Sequence, residues 1–281
     1  DDDKTEFIED AHATLDARHD VFTHYLDRDD WDLFFGVFMT TDRVNHFLFG
    51  DYENDGEYAE EFLDFYRTLD GYIGEIRDGL DDDTTLIVAS DHGFTSLDHE
   101  VHFNTWLEQE GWLSYQDDDH EELADIHEDT KAYSLIPGRF YINLEDREPR
   151  GSVPQSDYES VRAELKEMIE NLEAPDGTPV ADRVVTKEEV FDGPRDGIAP
   201  DLVAVPNKGF DFQAGFSGSE AVFGPSPREG WHTFHDATLV TDDPAVAVDG
   251  EVNLYDVAPT LLDLLEVEYD AVAFDGRSLV S

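Results

Sequence analysis

The chain has 281 residues, 40% of them hydrophobic and 12% aromatic, enough to bury one large core or two modest ones. Its 69 acidic against 18 basic residues leave a net charge of -51, which argues against a nucleic-acid partner because a polyanion would be repelled. The lack of cysteine excludes disulfides, zinc fingers and thiolate catalysis, so any metal must be held by His, Asp and Glu.

In chain order, residues 6–27 carry Phe7, Ile8, Ala11, Leu15, Val21, Phe22 and Tyr25 at roughly helical spacing and predict a helix. The dense apolar run Trp31–Thr41 predicts a fully buried strand. After the polar "TDRVNHFLFGDYENDG", a second helix is expected from Glu57, with Tyr58, Phe62, Phe65, Leu69, Ile73, Ile76 and Leu80 on one face. The glycine and charges of "DGLDDDT" end it, and "TTLIVASDHGF", Thr84–Phe94, predicts a second buried strand. Strand, helix and strand make a βαβ unit with two parallel strands.

Downstream, "NTWLEQEGWLSY" predicts a short helix and a turn, and residues 117–129 an acidic loop or exposed helix. "RFYINL" and "DLVAVP" predict strands, with an amphipathic helix between them over 156–172. Residues 207–230 read as a loop rich in Gly, Phe and Ser, "HDATLV" as a strand and "LYDVAPTLLDLLEV" as a helix. The alternation gives an α/β fold with a mostly parallel sheet flanked by helices. No apolar run approaches the roughly 18 residues of a membrane span. The opening "DDDKTEFIED" shows no secretory pattern, so no membrane partner and a cytoplasmic location are expected.

In such a sheet, ligands bind beyond the carboxyl ends of the strands. Residues 40–46 and 90–93 both follow predicted strand ends, which parallel strands would put on one edge. Asp42 and His46 are four apart, and on a helical turn they share a face that can grip a divalent ion. Asp91 and His92 are adjacent, beside a glycine that lets the backbone turn sharply. His232 stands in "EGWHTFHDA", with His235 and Asp236 close by. Asp98, His99 and His102 either form a further cluster or flank the helix expected at 103–109. Each signal is weak alone; a shared sheet edge is what strengthens the first two.

"TTDRVNHFLF", "SDHGF", "FNTWLEQEGWL", "RFYINLEDREPRGSV" and "YDVAPTLLDLL…FDGRSL" follow one another in the order seen in the alkaline phosphatase superfamily. From about residue 30 onward the chain resembles its type I phosphodiesterase/nucleotide pyrophosphatase branch, in the prokaryotic phosphohydrolase form. The acidic composition resembles that of salt-adapted, haloarchaeal proteins, since molar salt cuts the Debye length to about 3 Å.

The resemblance implies a phosphohydrolase or phosphodiesterase acting on small phosphate esters. It implies two divalent ions, zinc first and manganese or iron as alternatives. Asp42, His46 and His232 would hold one ion, with His235 a nearby substitute for His232, and Asp91 and His92 the other. Arg43 and Asn45 would contact a phosphate oxygen or else form a surface turn. Family members carry a metal-binding Asp and a nucleophilic Thr or Ser in an N-terminal region that would precede this chain's first helix. The expectation is therefore the C-terminal portion of one alkaline phosphatase-like domain, its first strands and nucleophile outside residues 1–281. A cap would span about 95–200. Thr40 and Thr41 sit at the wrong place in the pattern to be the nucleophile. The alternatives are a non-catalytic relative used for binding or assembly, or a sulfatase or phosphomutase of the same superfamily.

Overall fold

The computed structural model describes residues 3–28, 31–219, 221–248 and 250–280. In chain order its first helices are α1 (Thr5–Leu26), α2 (Thr40–Glu53) and α3 (Ala59–Gly79), followed by β1 (Ile87–Ala89), β2 (Gly93–Ser96) and β3 (His99–His102). Next come α4 (Phe103–Gln109), β4 (Ala132–Ile136), β5 (Arg139–Ile142), α5 (Tyr158–Glu170), β6 (Ala181–Thr186) and α6 (Lys187–Val190). The rest are β7 (Leu202–Pro206), β8 (Phe210–Gln213), β9 (Phe223–Gly224), β10 (Gly230–Thr233), β11 (Leu239–Thr241) and α7 (Val257–Leu264). The chain divides into two compact units, Asp1–Phe94 with Phe234–Ser281, and Thr95–Thr233. Among the described residues no helix is long and apolar enough to cross a membrane.

The first unit is built on α1, α2 and α3. Residues four apart on each helix supply its core: Ala11 and Leu15, Val44 and Leu48, then Phe65 and Leu69, with Phe62 one turn earlier. Leu15, Val44, Leu48 and Phe65 are essentially inaccessible to solvent, each contributing about 1.5–3 kcal/mol by burial. The helices expected at 6–27 and from Glu57 are therefore present, within about two residues.

The strand expected at Trp31–Thr41 is not. Residues 31–39 join no sheet among the described residues, and Thr40 already opens α2. Leu33, Phe35, Val37 and Met39 are exposed, Phe35 by 76%. Rings hold the segment instead: Phe22 of α1 meets Phe34 at 5.8 Å and Phe38 at 4.9 Å. The second strand of the expected βαβ unit does form, as β1, but it is only half-buried and pairs antiparallel, Ile87 opposite Thr241 and Ala89 opposite Leu239. An antiparallel pair can leave one face wet, whereas a parallel strand needs cover on both.

The mostly parallel sheet is thus corrected to small, mainly antiparallel sheets in a mixed α/β chain. In the second unit β4, β5, β7 and β6 form a four-stranded antiparallel sheet. Beside β9, which is antiparallel to it, β3 also runs parallel to β8, His99 opposite Phe210 through His102 opposite Gln213. Phe103, Leu107, Phe140, Ile142, Leu165, Ile169, Leu202 and Phe212 lie in one core. The strands expected at "RFYINL" and "DLVAVP" and the helix at 156–172 are present as β5, β7 and α5. The expected loop 207–230 instead contains β8, β9 and the start of β10; its residue 220 lies outside the described residues. Asp98, His99 and His102 do precede α4, but His99 and His102 bound a strand, and His99 lies against Phe210 and Phe223.

Candidate metal centre

Because α2 begins at Thr40, Asp42 falls in its first turn, where a carboxylate is favoured by the positive end of the helix. One turn on, Asn45 and His46 share its face. Asp42 Oδ1 lies 3.6 Å from His46 Nε2. His92, in the turn after β1, brings its Nε2 to 3.9 Å from the same oxygen and to 3.6 Å from Asp91 Oδ1. Four of the expected residues, Asp42, His46, Asp91 and His92, are therefore brought together in the first unit.

Local structure orients the imidazoles. His92 Nδ1 is 3.0 Å from the Gly93 carbonyl oxygen. A carbonyl can only accept, so Nδ1 carries the proton and Nε2 presents a lone pair toward the carboxylates. The Phe94 ring packs edge-on against His46, 5.1 Å between centroids, and lies 6.1 Å from His92. The side chain of His46 is almost buried at 11% exposure, while Asp91 is open at 77%.

The arrangement fits a divalent ion. Separations of 3.6 and 3.9 Å exceed the 2.7–3.2 Å of an N–H···O hydrogen bond. They come nearer to the roughly 3.3 Å between neighbouring donors on a tetrahedral ion with bonds of about 2.0–2.1 Å. A carboxylate paired with an imidazole, as in Asp42 with His46 and Asp91 with His92, is a donor pair suited to zinc, iron or manganese.

The other expected residues fall differently. Arg43 is exposed, about 100° around the helix from Asp42, and does not share its face. Thr40 is buried, and the Thr41 hydroxyl donates to the Phe38 carbonyl at 2.9 Å. His232 lies in the second unit on β10, half-buried, its ring stacked 4.8 Å from that of Trp231. His235 lies in the first unit, exposed, near Phe234.

Two residues given no role by the sequence stand at the centre. Phe94 was visible only as the end of "SDHGF". Tyr66 of α3 donates its hydroxyl to Asn45 Oδ1 at 3.1 Å. Burial pushes that hydroxyl's pKa up, and the charge of Asp42 adds to it. Its one sequence signal is its place beside Phe65, at the edge of the apolar stripe.

No curated protein matches the chain. A family model described as type I phosphodiesterase / nucleotide pyrophosphatase matches residues 1–235, a span that includes Asp42, His46, Asp91 and His92. With most of its length under that match, the chain belongs to the type I phosphodiesterase / nucleotide pyrophosphatase family, within the alkaline phosphatase superfamily.

Proposed function

We propose that this chain is a phosphohydrolase or phosphodiesterase that acts on small phosphate esters at a two-metal site. The observation that carries the reading is the approach of two imidazole Nε2 atoms, from His46 and His92, to one oxygen of Asp42. By the family pattern Asp42, His46 and His232 hold one ion and Asp91 and His92 the other, zinc first, with manganese or iron as alternatives. When bound, such ions neutralise charge on a phosphoryl group and polarise it.

The chain's own residues do the rest. The Gly93 carbonyl fixes the tautomer of His92, leaving Nε2 available for coordination. Phe94 backs both imidazoles and restricts water on that side. Asn45, one turn on from Asp42, offers amide N–H groups to a phosphate oxygen. The reading assigns no nucleophile, and it takes residues of about 95–200 as the part that selects the ester.

The test is elemental analysis of protein purified in molar salt, with hydrolysis of bis(p-nitrophenyl) phosphate followed in parallel. Stoichiometric zinc, manganese or iron is expected, falling several-fold in Asp42→Ala and His92→Ala proteins that keep the wild-type circular dichroism. Wild-type protein that retains none of these metals after incubation with them would overturn the reading.

A further inference from the structure

The hydrogen bond between α3 and α2 at Tyr66 and Asn45 is specific in its polarity. Asn45 sits three residues after Asp42 and His46 four, so the two flank Asp42 on α2 from either side. Its side chain is a planar amide with an acceptor at one tip and a two-hydrogen donor at the other. The acceptor, Oδ1, receives the Tyr66 hydroxyl at 3.1 Å. The donor, Nδ2, makes no hydrogen bond among the described residues, and neither residue is fully exposed. An amide whose oxygen is held from one side turns its N–H groups to the other, which is the orientation an anion needs. A flipped amide would present its oxygen in place of its N–H groups, and an oxygen repels a phosphate.

We infer that Tyr66 is a positioning residue for oxyanion binding. Its hydroxyl fixes the Asn45 amide so that Nδ2 faces a phosphate oxygen held beside Asp42 and His46. This rests on the metal-site reading above, but it concerns anion recognition and not metal capture. Neither Tyr66 nor Asn45 is assigned as a metal ligand, so metal affinity and phosphate affinity should separate when they are changed.

The experiment titrates zinc into the full chain, and then inorganic phosphate into the zinc-loaded protein, by calorimetry in molar sodium chloride. It compares wild type, Tyr66→Phe, Asn45→Ala and the double variant. Loss of one hydrogen bond that orients the amide should weaken phosphate binding roughly fivefold in Tyr66→Phe. Zinc affinity should stay within about twofold of wild type, and Tyr66→Phe should add nothing further in the Asn45→Ala background, as expected of two residues acting as one unit. Unchanged phosphate affinity in Tyr66→Phe overturns the inference, as do losses that multiply in the double variant. A parallel loss of zinc overturns it too, because Tyr66 would then merely support the helix pair. Wild type that binds zinc but not phosphate also overturns it and leaves the metal site standing. Wild type that binds no zinc removes the functional reading and this inference together.

Discussion

Two buried carboxylates of the second unit show how local partners set the charge of a residue. Asp201 is wholly buried, which by itself would raise its pKa. Arg147 grips both its oxygens at 2.7 and 2.6 Å, the Tyr158 hydroxyl donates at 2.6 Å and the Ile142 N–H at 2.7 Å. Together these hold it below the ordinary carboxylate range. Asp211 is almost as deeply buried but, among the described residues, has only Gln213 at 2.7 Å and the partly exposed Arg228 at 3.5 Å, and it lies across the β3–β8 register from Glu100. Burial pushes its pKa up to about 7, Arg228 opposes that and Glu100 adds to it. The folded state therefore holds a proton that the unfolded chain releases near pH 4, so stability is fully present below that pH and falls as pH rises toward 7. Asp211→Asn should remove this slope. In urea unfolding the variant should match wild type near pH 4 and exceed it by up to a few kcal/mol at pH 8. Equal stability at both pH values would show that Asp211 is ionised in the folded protein.

At the scale of elements, helices were legible where apolar residues recurred at three and four over several turns, because a stripe that regular must face a core. That holds for α1, α3, α5 and α7, whereas α2, with only Val44 and Leu48 so spaced and buried, read as a polar segment. The run Trp31–Thr41 misled because apolar content does not report whether a partner strand exists. β3 and β8 were missed because histidines, acidic residues and a glycine-rich setting hide two short strands, β3 half-buried and β8 mostly buried. The β4–β5 hairpin turns on Pro137-Gly138, and that glycine carries structural weight. Gly138 has φ +69°, and a Cβ there would lie 2.6 Å from the Ala204 carbonyl oxygen in β7. Gly177 also has positive φ, at +86°, but open space around it. Both Gly→Ala changes pay about 1–2 kcal/mol for the left-handed backbone. Gly138→Ala should cost more, since backbone of the four-stranded sheet must also shift. Urea midpoints of the two variants check this, and an equal loss would mean that β7 yields freely.

For the whole molecule, the spacing of Asp42 with His46 and the Asp91-His92 pair were readable as candidate ligands. Their convergence depends on three-dimensional packing, as does the place of Tyr66, 21 residues from its partner in sequence. The argument that joined them, two parallel strands ending on one edge, was wrong in its route, since α2 and the turn after β1 supply these residues. Net charge acts at this largest scale. With -51 charges on 281 residues, self-repulsion opposes the compact state at low ionic strength. Raising salt from 0.1 to 1 M shortens the Debye length from about 10 to about 3 Å, so most of the repulsion between surface carboxylates is removed in that interval. Thermal unfolding in sodium chloride should show Tm rising steeply up to about 1 M and flattening above it. Stabilisation by exclusion of salt from the surface would instead keep climbing. Neutralising the exposed run Asp81, Asp82 and Asp83 to Asn separates the two causes. The triple variant should melt higher than wild type at 0.1 M and alike at 2 M. A difference that persists at 2 M would mean that these carboxylates act through local contacts and not through the field of the whole surface.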